Sequence, residues 1–215
     1  VARLDRQDKA ASLELVVSAL AQGKIDIVAL YTEVLAPALN TPAYAQGEEA
    51  TGLRIWEEHV RSSIVRTIVE NCYPYVQRER SARYGAAAGK GKSVIVVCPT
   101  EEFHEIGVRM VADFFDLCGF DTTFVGANTP QEEILEAISQ LKPAYVAVSA
   151  TNTYSLVPAK RTLAQIREVR ERSRSSFQTI VGGNAFRENP ALVQEMGADL
   201  HLSTFEDIRR LSEGG

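Results

Sequence analysis

The sequence has no excess of positive charge: 23 Lys and Arg stand against 28 Asp and Glu, for a net charge of −5, and its pI is about 5.4. Without a basic face it lacks the electrostatic footprint of a phosphate-backbone binder, which argues against direct nucleic-acid binding. No apolar run approaches the roughly 20 residues that cross a bilayer, and the N-terminus shows no signal-peptide pattern, so no membrane span is expected. Cys72, Cys98 and Cys118 are too scattered for a CxxC motif or a zinc ligand set. An odd, widely spaced set in apolar surroundings reads as reduced, buried thiols of a cytoplasmic protein. The first residue is Val rather than Met, consistent with a further N-terminal segment. What remains is ordinary: 45% hydrophobic and 24% charged residues over 215 positions, enough for a real core and a helical attachment.

Residues 8–77 carry helical periodicity and almost no strand pattern. Ala11, Leu13, Leu15, Val16, Ala19 and Leu20 form an apolar stripe at helix spacing that Gly23 closes. A second helix over 25–39 repeats it with Ile27, Leu30, Tyr31, Val34 and Leu35. A turn-prone stretch over 40–52 precedes a long helix over 53–76, whose Ile55, Trp56, Val60, Ile64, Val65, Ile68 and Val69 fall mainly three to four apart. The sequence therefore predicts a helical bundle over 1–77. Residues 78–92, charged and then Gly/Ala-rich, read as a linker.

From Ser93 the pattern changes. Short β-branched runs at 94–97, 122–125, 145–148 and 179–181, with a weaker one at 200–202, alternate with helical stretches at 105–118, 130–141, 158–172, 190–196 and 206–211. Strands apolar on both faces belong to parallel sheets. The alternation predicts an α/β domain over 93–215, a doubly wound, five-stranded parallel sheet. Ligands of such sheets bind beyond the carboxyl ends of the strands.

Three strand-end loops carry chemistry. After the first strand, Glu102 stands two residues before His104, placed to hydrogen-bond one ring nitrogen and leave the other as a metal ligand. Gly107 would let a bulky ligand approach the following helix. The third strand ends in Ser149-Ala150-Thr151 and the fourth in Gly182-Gly183. Each is weak alone, because a surface histidine, a turn serine and a tight Gly-Gly turn are all common. Their weight comes from sharing one end of one sheet.

The set Glu-x-His-x-x-Gly, Ser-x-Thr, Gly-Gly resembles the signature Asp-x-His-x-x-Gly, Ser-x-Leu, Gly-Gly of the B12-binding domain of methionine synthase, corrinoid methyl carriers and B12-dependent photoreceptors. Glu102 replaces Asp and Thr151 replaces Leu. The resemblance covers residues 92–211 and implies a flavodoxin-like, Rossmann-type sheet and a cobalamin cofactor in adenosyl, methyl or hydroxo form. It also implies that His104 displaces the cofactor's own base from cobalt, with the nucleotide tail beside Ser149, Thr151, Gly182 and Gly183 and with Glu102, Phe103 and Gly107 around the ligand. The N-terminal bundle resembles the family's helical cap. In methyl carriers the corresponding helix often reads Leu-Pro-Glu-Leu. Here Trp56-Glu57-Glu58-His59 is similar instead to the light-sensing regulators, which carry Trp, nine residues, then Glu-His. That Trp position holds Glu48, and the single Trp is Trp56. Trp56, Glu58 and His59 are candidate upper-face contacts, set against a plain core Trp and a solvated acidic face. Tyr44 and Tyr154 are weaker aromatic candidates. The arginines at 167, 170, 172 and 174 read as a solvated face complementing a helix C-terminus.

Two functions follow from the resemblance. One is a B12-dependent sensor or regulator, responding to light or cofactor state and acting through a protein partner such as a transcription factor. The other is a corrinoid methyl carrier serving methyltransferase partners, its cobalt cycling between Co(I) and a methylated Co(III) form. Storage or delivery of the cofactor is a third. No Ser-His-Asp, Cys-His or paired-carboxylate constellation falls on the strand-end loops, so the chain alone reads as less than a complete enzyme.

Overall fold

The computed structural model describes residues 4, 6–40, 55–85, 92–187 and 191–214. The chain divides into two compact units, Val1–Arg78 and Glu79–Gly215.

The first unit is helical. Helix α1 (Lys9–Ala21) is capped by Asp8, whose side chain accepts from the Ala11 N–H at 3.0 Å. It ends where Gly23 adopts φ +65 and donates to the Leu20 carbonyl at 3.1 Å. Helix α2 (27–40) starts at an Asp26 cap, and its middle, Leu30–Leu35, is wound as a π-helix. Helix α3 (Ile55–Tyr84) runs with Pro74 inside it. Much of the apolar spacing seen in the sequence is buried: Ile64, Val65, Ile68 and Val69 on α3, joined by Cys72 and Val76, and Ile27, Leu30, Tyr31 and Leu35 on α2, are all at most 2% exposed, whereas Leu15, Ile55 and Trp56 of the expected stripes are exposed. Tyr75 reaches the Val17 carbonyl of α1 at 3.4 Å.

The linker expected over 78–92 differs from the structure, because α3 continues through Tyr84. The reason is tertiary. Arg80 donates to the Phe120 carbonyl at 2.7 Å, and the Tyr84 ring lies 3.1 Å from where a Cβ on Gly119 would stand. Contacts within the second unit, to which residues 79–84 belong, thus hold helical a charged segment that has no apolar stripe of its own. Residues 86–91 of the expected linker, most of the turn-prone 40–52, Tyr44 and Glu48 lie outside the described residues.

The second unit is the doubly wound sheet. Its elements are β1 (Ser93–Pro99), α4 (Ile106–Leu117), β2 (Asp121–Thr129), α5 (Gln131–Leu141), β3 (Tyr145–Ser149), α6 (Thr153–Ser173), β4 (Gln178–Gly182), α7 (Asn184–Arg187), α8 (Ala191–Met196), β5 (Leu200–His201) and α9 (Phe205–Glu213). All pairings are parallel and the order is β2-β1-β3-β4-β5. The chain moves outward from β1 in both directions, so the switch point is at the carboxyl ends of β1 and β3. On one face of the sheet, Ile95, Val97, Val146, Val148 and Val181 pack with Ile134, Ile138, Leu163, Ile166 and Phe186. Helix α6 begins at Thr153, five residues before the expected start at Pro158, because Asn152 caps it by accepting from the Ser155 N–H at 3.0 Å. Arg170 is more than a solvated group: it pairs with Asp199, which also accepts from the Thr179 N–H at 2.7 Å and holds β5 beside β4. All three cysteines are buried thiols outside any disulfide. Burial, followed by the charges of Glu102 and Glu105, pushes the Cys98 thiol up to about 12. No helix among the described residues is long and apolar enough to cross a membrane.

A candidate cofactor site at the switch point

The loop between β1 and α4 is held in place from both sides. Glu101, at φ +68, donates its N–H to Asn128 Oδ1 at 2.9 Å, and the Glu102 carbonyl accepts from the Asn128 N–H at 2.9 Å. Glu105 Oε2 accepts from the Ala127 N–H at 3.2 Å. These bonds tie the loop to the end of β2 and bring Glu102 in over the sheet, fully buried at 0% exposure.

A buried carboxylate needs partners, and Glu102 has them. Its Oε1 lies 2.8 Å from His104 Nδ1 and accepts the His104 backbone N–H, also at 2.8 Å. Its Oε2 accepts from the Thr151 N–H at 2.7 Å. Desolvation pushes the Glu102 pKa upward, but the bonds from the His104 ring and backbone, from Ser155 and from Thr151 outweigh it and bring the pKa from 4.5 down to about 2. Glu102 is therefore ionised at neutral pH. An ionised carboxylate at Nδ1 selects the tautomer with the proton on Nδ1, which leaves the lone pair of a neutral imidazole on Nε2. The His104 side chain is 60% exposed while its partner is not exposed at all. The ring is thus held at Nδ1 while most of the side chain is exposed.

The other expected residues of this unit gather at the same end of the sheet. Ser149 and Gly182 pair across β3 and β4. Ala150 donates to the Gly182 carbonyl at 3.0 Å and accepts from the Ala185 N–H at 3.2 Å. Gly183 has φ +100, and a Cβ there would stand 2.3 Å from the Ala150 carbonyl oxygen. The second glycine thus lets chain approach chain, where the sequence suggested approach to a ligand. Around Gly107 the position of an added Cβ is open, with nothing within 4 Å. Phe103 is 65% exposed. Trp56, Glu58 and His59 are exposed on α3 of the first unit, so Trp56 is not a core residue there. His59 lines a cavity of about 310 Å³ in that unit with Gln7, Lys9, Val60, Ser63 and Ile64. Sequence reasoning missed Asn128, Glu105 and Ser155 as supports of the loop. Only Ser155 left a signal, the Asn-x-x-Ser spacing of a helix start.

The donor set constrains the metal. Among the described residues no group of three or more His, Cys, Asp or Glu is placed to hold a metal ion. A single imidazole suits a metal whose other ligands come from its own macrocycle. The B12 binding domain model matches residues 92–210, more than half of the chain. The chain belongs to the B12-binding domain family. Its cofactor is cobalamin, and the residues at the switch point fit that group: one oriented imidazole, an open glycine beside it and small residues on the adjoining strand ends.

The relatives of this B12-binding chain are of two kinds. Trimethylamine corrinoid protein 1 of Methanosarcina acetivorans is 25% identical over 204 residues, 94% of this chain and 88% of its own length. The HTH-type transcriptional repressor CarH of Myxococcus xanthus is 27% identical over 182 residues, 85% of this chain. The chain spans 56% of CarH and 58% of the related repressor CarA. The solved structure of the Methanosarcina barkeri monomethylamine corrinoid protein shares the fold, with a TM-score of 0.75 at 20% identity over 98% of this chain and 93% of that one.

Proposed function

We propose that this chain is the corrinoid carrier of a cobalamin-dependent methyl-transfer system, with His104 as the lower ligand of cobalt. The buried, ionised Glu102 bonded to His104 Nδ1 carries the ligand assignment, because it orients the ring and makes Nε2 the basic nitrogen. Bound cobalamin would supply a cobalt that accepts a methyl group from one partner and hands it to another. The protein's share is positioning. Glu102 holds the imidazole and, through the Thr151 N–H, locks the β1 and β3 loops together. Gly107 leaves room beside the ligand, and Phe103 offers apolar surface. Ser149, Thr151, Gly182 and Gly183 flank the nucleotide tail. Trp56, Glu58 and His59 on α3 remain candidate contacts of the cofactor.

The carrier role is supported by the reach of the likeness to trimethylamine corrinoid protein 1, which extends over 88% of that protein. It is also supported by Glu48 standing where the regulators carry their Trp. Methyltransferase partners follow from the carrier role, since a carried methyl group must be received from one protein and passed to another. A second reading, a light- or cofactor-state sensor acting through a transcription-factor partner, is favoured by Glu58-His59 and by the likeness to CarH. Loading the protein in the dark with methylcobalamin or adenosylcobalamin and illuminating each separates the two. The carrier predicts tight methylcobalamin uptake and an association state that light does not change. A light-driven change of association state confined to the adenosylcobalamin form would refute the carrier in favour of the sensor.

A further inference from the structure

We propose that Tyr154 and Val157, at the start of α6, form a second apolar wall of the cofactor site and contact the corrin. The inference rests on the cobalamin reading and adds two residues to it. Tyr154 is 86% exposed and Val157 57%, the former the most exposed large hydrophobic residue among the described residues. One helical turn apart, they share the outward side of α6, while Ser155, Ala159, Thr162, Leu163 and Ile166 are buried on the inward side. Beyond Val157 the outward side turns polar, with Lys160 paired to Glu195 and Glu168 to Arg172. Apolar exposure on this helix is therefore confined to its first turns, which follow Thr151, the residue whose N–H binds Glu102. Concentrated exposure of this kind beside a ligand site marks contact surface rather than random surface composition.

The placement is rigid as well as close in sequence. Thr151 donates to Glu102 Oε2 at 2.7 Å, and Asn152 caps the helix through Ser155 at 3.0 Å. The carboxylate that orients the metal-binding imidazole thus also fixes where the first turn of α6 begins. A corrin presents apolar faces edged with amide side chains. A tyrosine ring with a hydroxyl donor and a branched aliphatic group match both parts of that surface. Phe103, 65% exposed within the β1–α4 loop, is the corresponding group on the His104 side.

The test uses the full chain with hydroxocobalamin. Tyr154→Ser and Val157→Ser should each weaken uptake about tenfold or more in a visible-absorbance titration, as expected for loss of a buried apolar contact. The His-ligated spectrum at saturation should be retained, and Tyr154→Phe should fall between wild type and Tyr154→Ser. Because both residues are exposed, the cofactor-free variants should melt like the wild type. Hydroxyl-radical labelling of Tyr154, read by peptide mass spectrometry, should drop several-fold on loading. Unchanged affinity in both serine variants, or undiminished labelling of Tyr154 in the loaded protein, overturns the proposal. Failure of the wild type to bind hydroxocobalamin would instead remove the cofactor reading beneath it.

Discussion

Replacing Glu102 with Gln should remove stability in a way that depends on pH with a definite sign. In the folded chain the carboxyl titrates at about 2 against an ordinary 4.5. At about 1.4 kcal/mol per pKa unit, the difference corresponds to roughly 3 kcal/mol. A group whose pKa is depressed by folding stabilises above its unfolded value and loses that contribution as pH falls through the folded one. The contribution is therefore complete above about pH 5.5 and fades between about pH 5 and pH 2. Gln keeps the shape and one acceptor but cannot ionise, and its amide must face either the Thr151 N–H or the His104 ring as a donor. Cofactor-free wild type and Glu102→Gln should differ by about 3 kcal/mol in urea unfolding at pH 7, and the gap should close to under about 1 kcal/mol near pH 2.5. Other depressed carboxylates, Asp199 and Asp207 among them, titrate alike in both proteins and cancel in the difference. A gap that stays constant from pH 7 to pH 2.5 would show that Glu102 acts by shape alone and would refute the charge-assisted orientation of His104.

Two glycines at the site should behave oppositely. Gly183→Ala forces a side chain into φ +100 and sets a Cβ 2.3 Å from the Ala150 carbonyl oxygen; strain and clash together should cost about 3 kcal/mol or more, visible as a lowered melting temperature without any cofactor. Wild-type melting in Gly183→Ala would contradict the packing described for the β3 and β4 loops. Gly107→Ala points into open space, so the cofactor-free protein should melt at or slightly above the wild type, by up to about 1 kcal/mol. Its cobalamin affinity should nonetheless fall about tenfold, and unchanged affinity would mean that the ligand does not lie against the start of α4.

Much of the second unit was legible because burial on both faces leaves a periodic mark. Strands β1, β3 and β4 are runs of Val, Ile and Ala that no amphipathic helix would carry. The Glu102–His104 bond was legible for a different reason: two residues apart in one loop, few geometries are open to them. What escaped the sequence depends on contacts between distant segments. Arg78 to Tyr84 looks like a linker until Phe120 and Gly119 supply its partners. Pro158 looks like a helix start until Asn152 caps the chain five residues earlier. The second oxygen of Glu102 belongs to Thr151, 49 positions away, and local spacing carries no trace of that bond. Trp56, Glu58 and His59 stood out as a pattern, and the structure places all three exposed on α3.

The claim that matters most is that His104 binds the cobalt through its ring nitrogen, and electron paramagnetic resonance reads that bond directly. Protein labelled with ¹⁵N-histidine would be loaded with cobalamin and reduced to the Co(II) state, whose unpaired electron couples to the nitrogen along its axis. A ¹⁴N ligand splits each cobalt line into three and a ¹⁵N ligand into two. Ligation by His104 gives two-line splitting in the labelled protein, three-line splitting in the unlabelled one, and loss of the histidine signal in His104→Ala. Three-line splitting in the labelled wild type would mean that the cofactor keeps its own base, and His104 would not be the ligand.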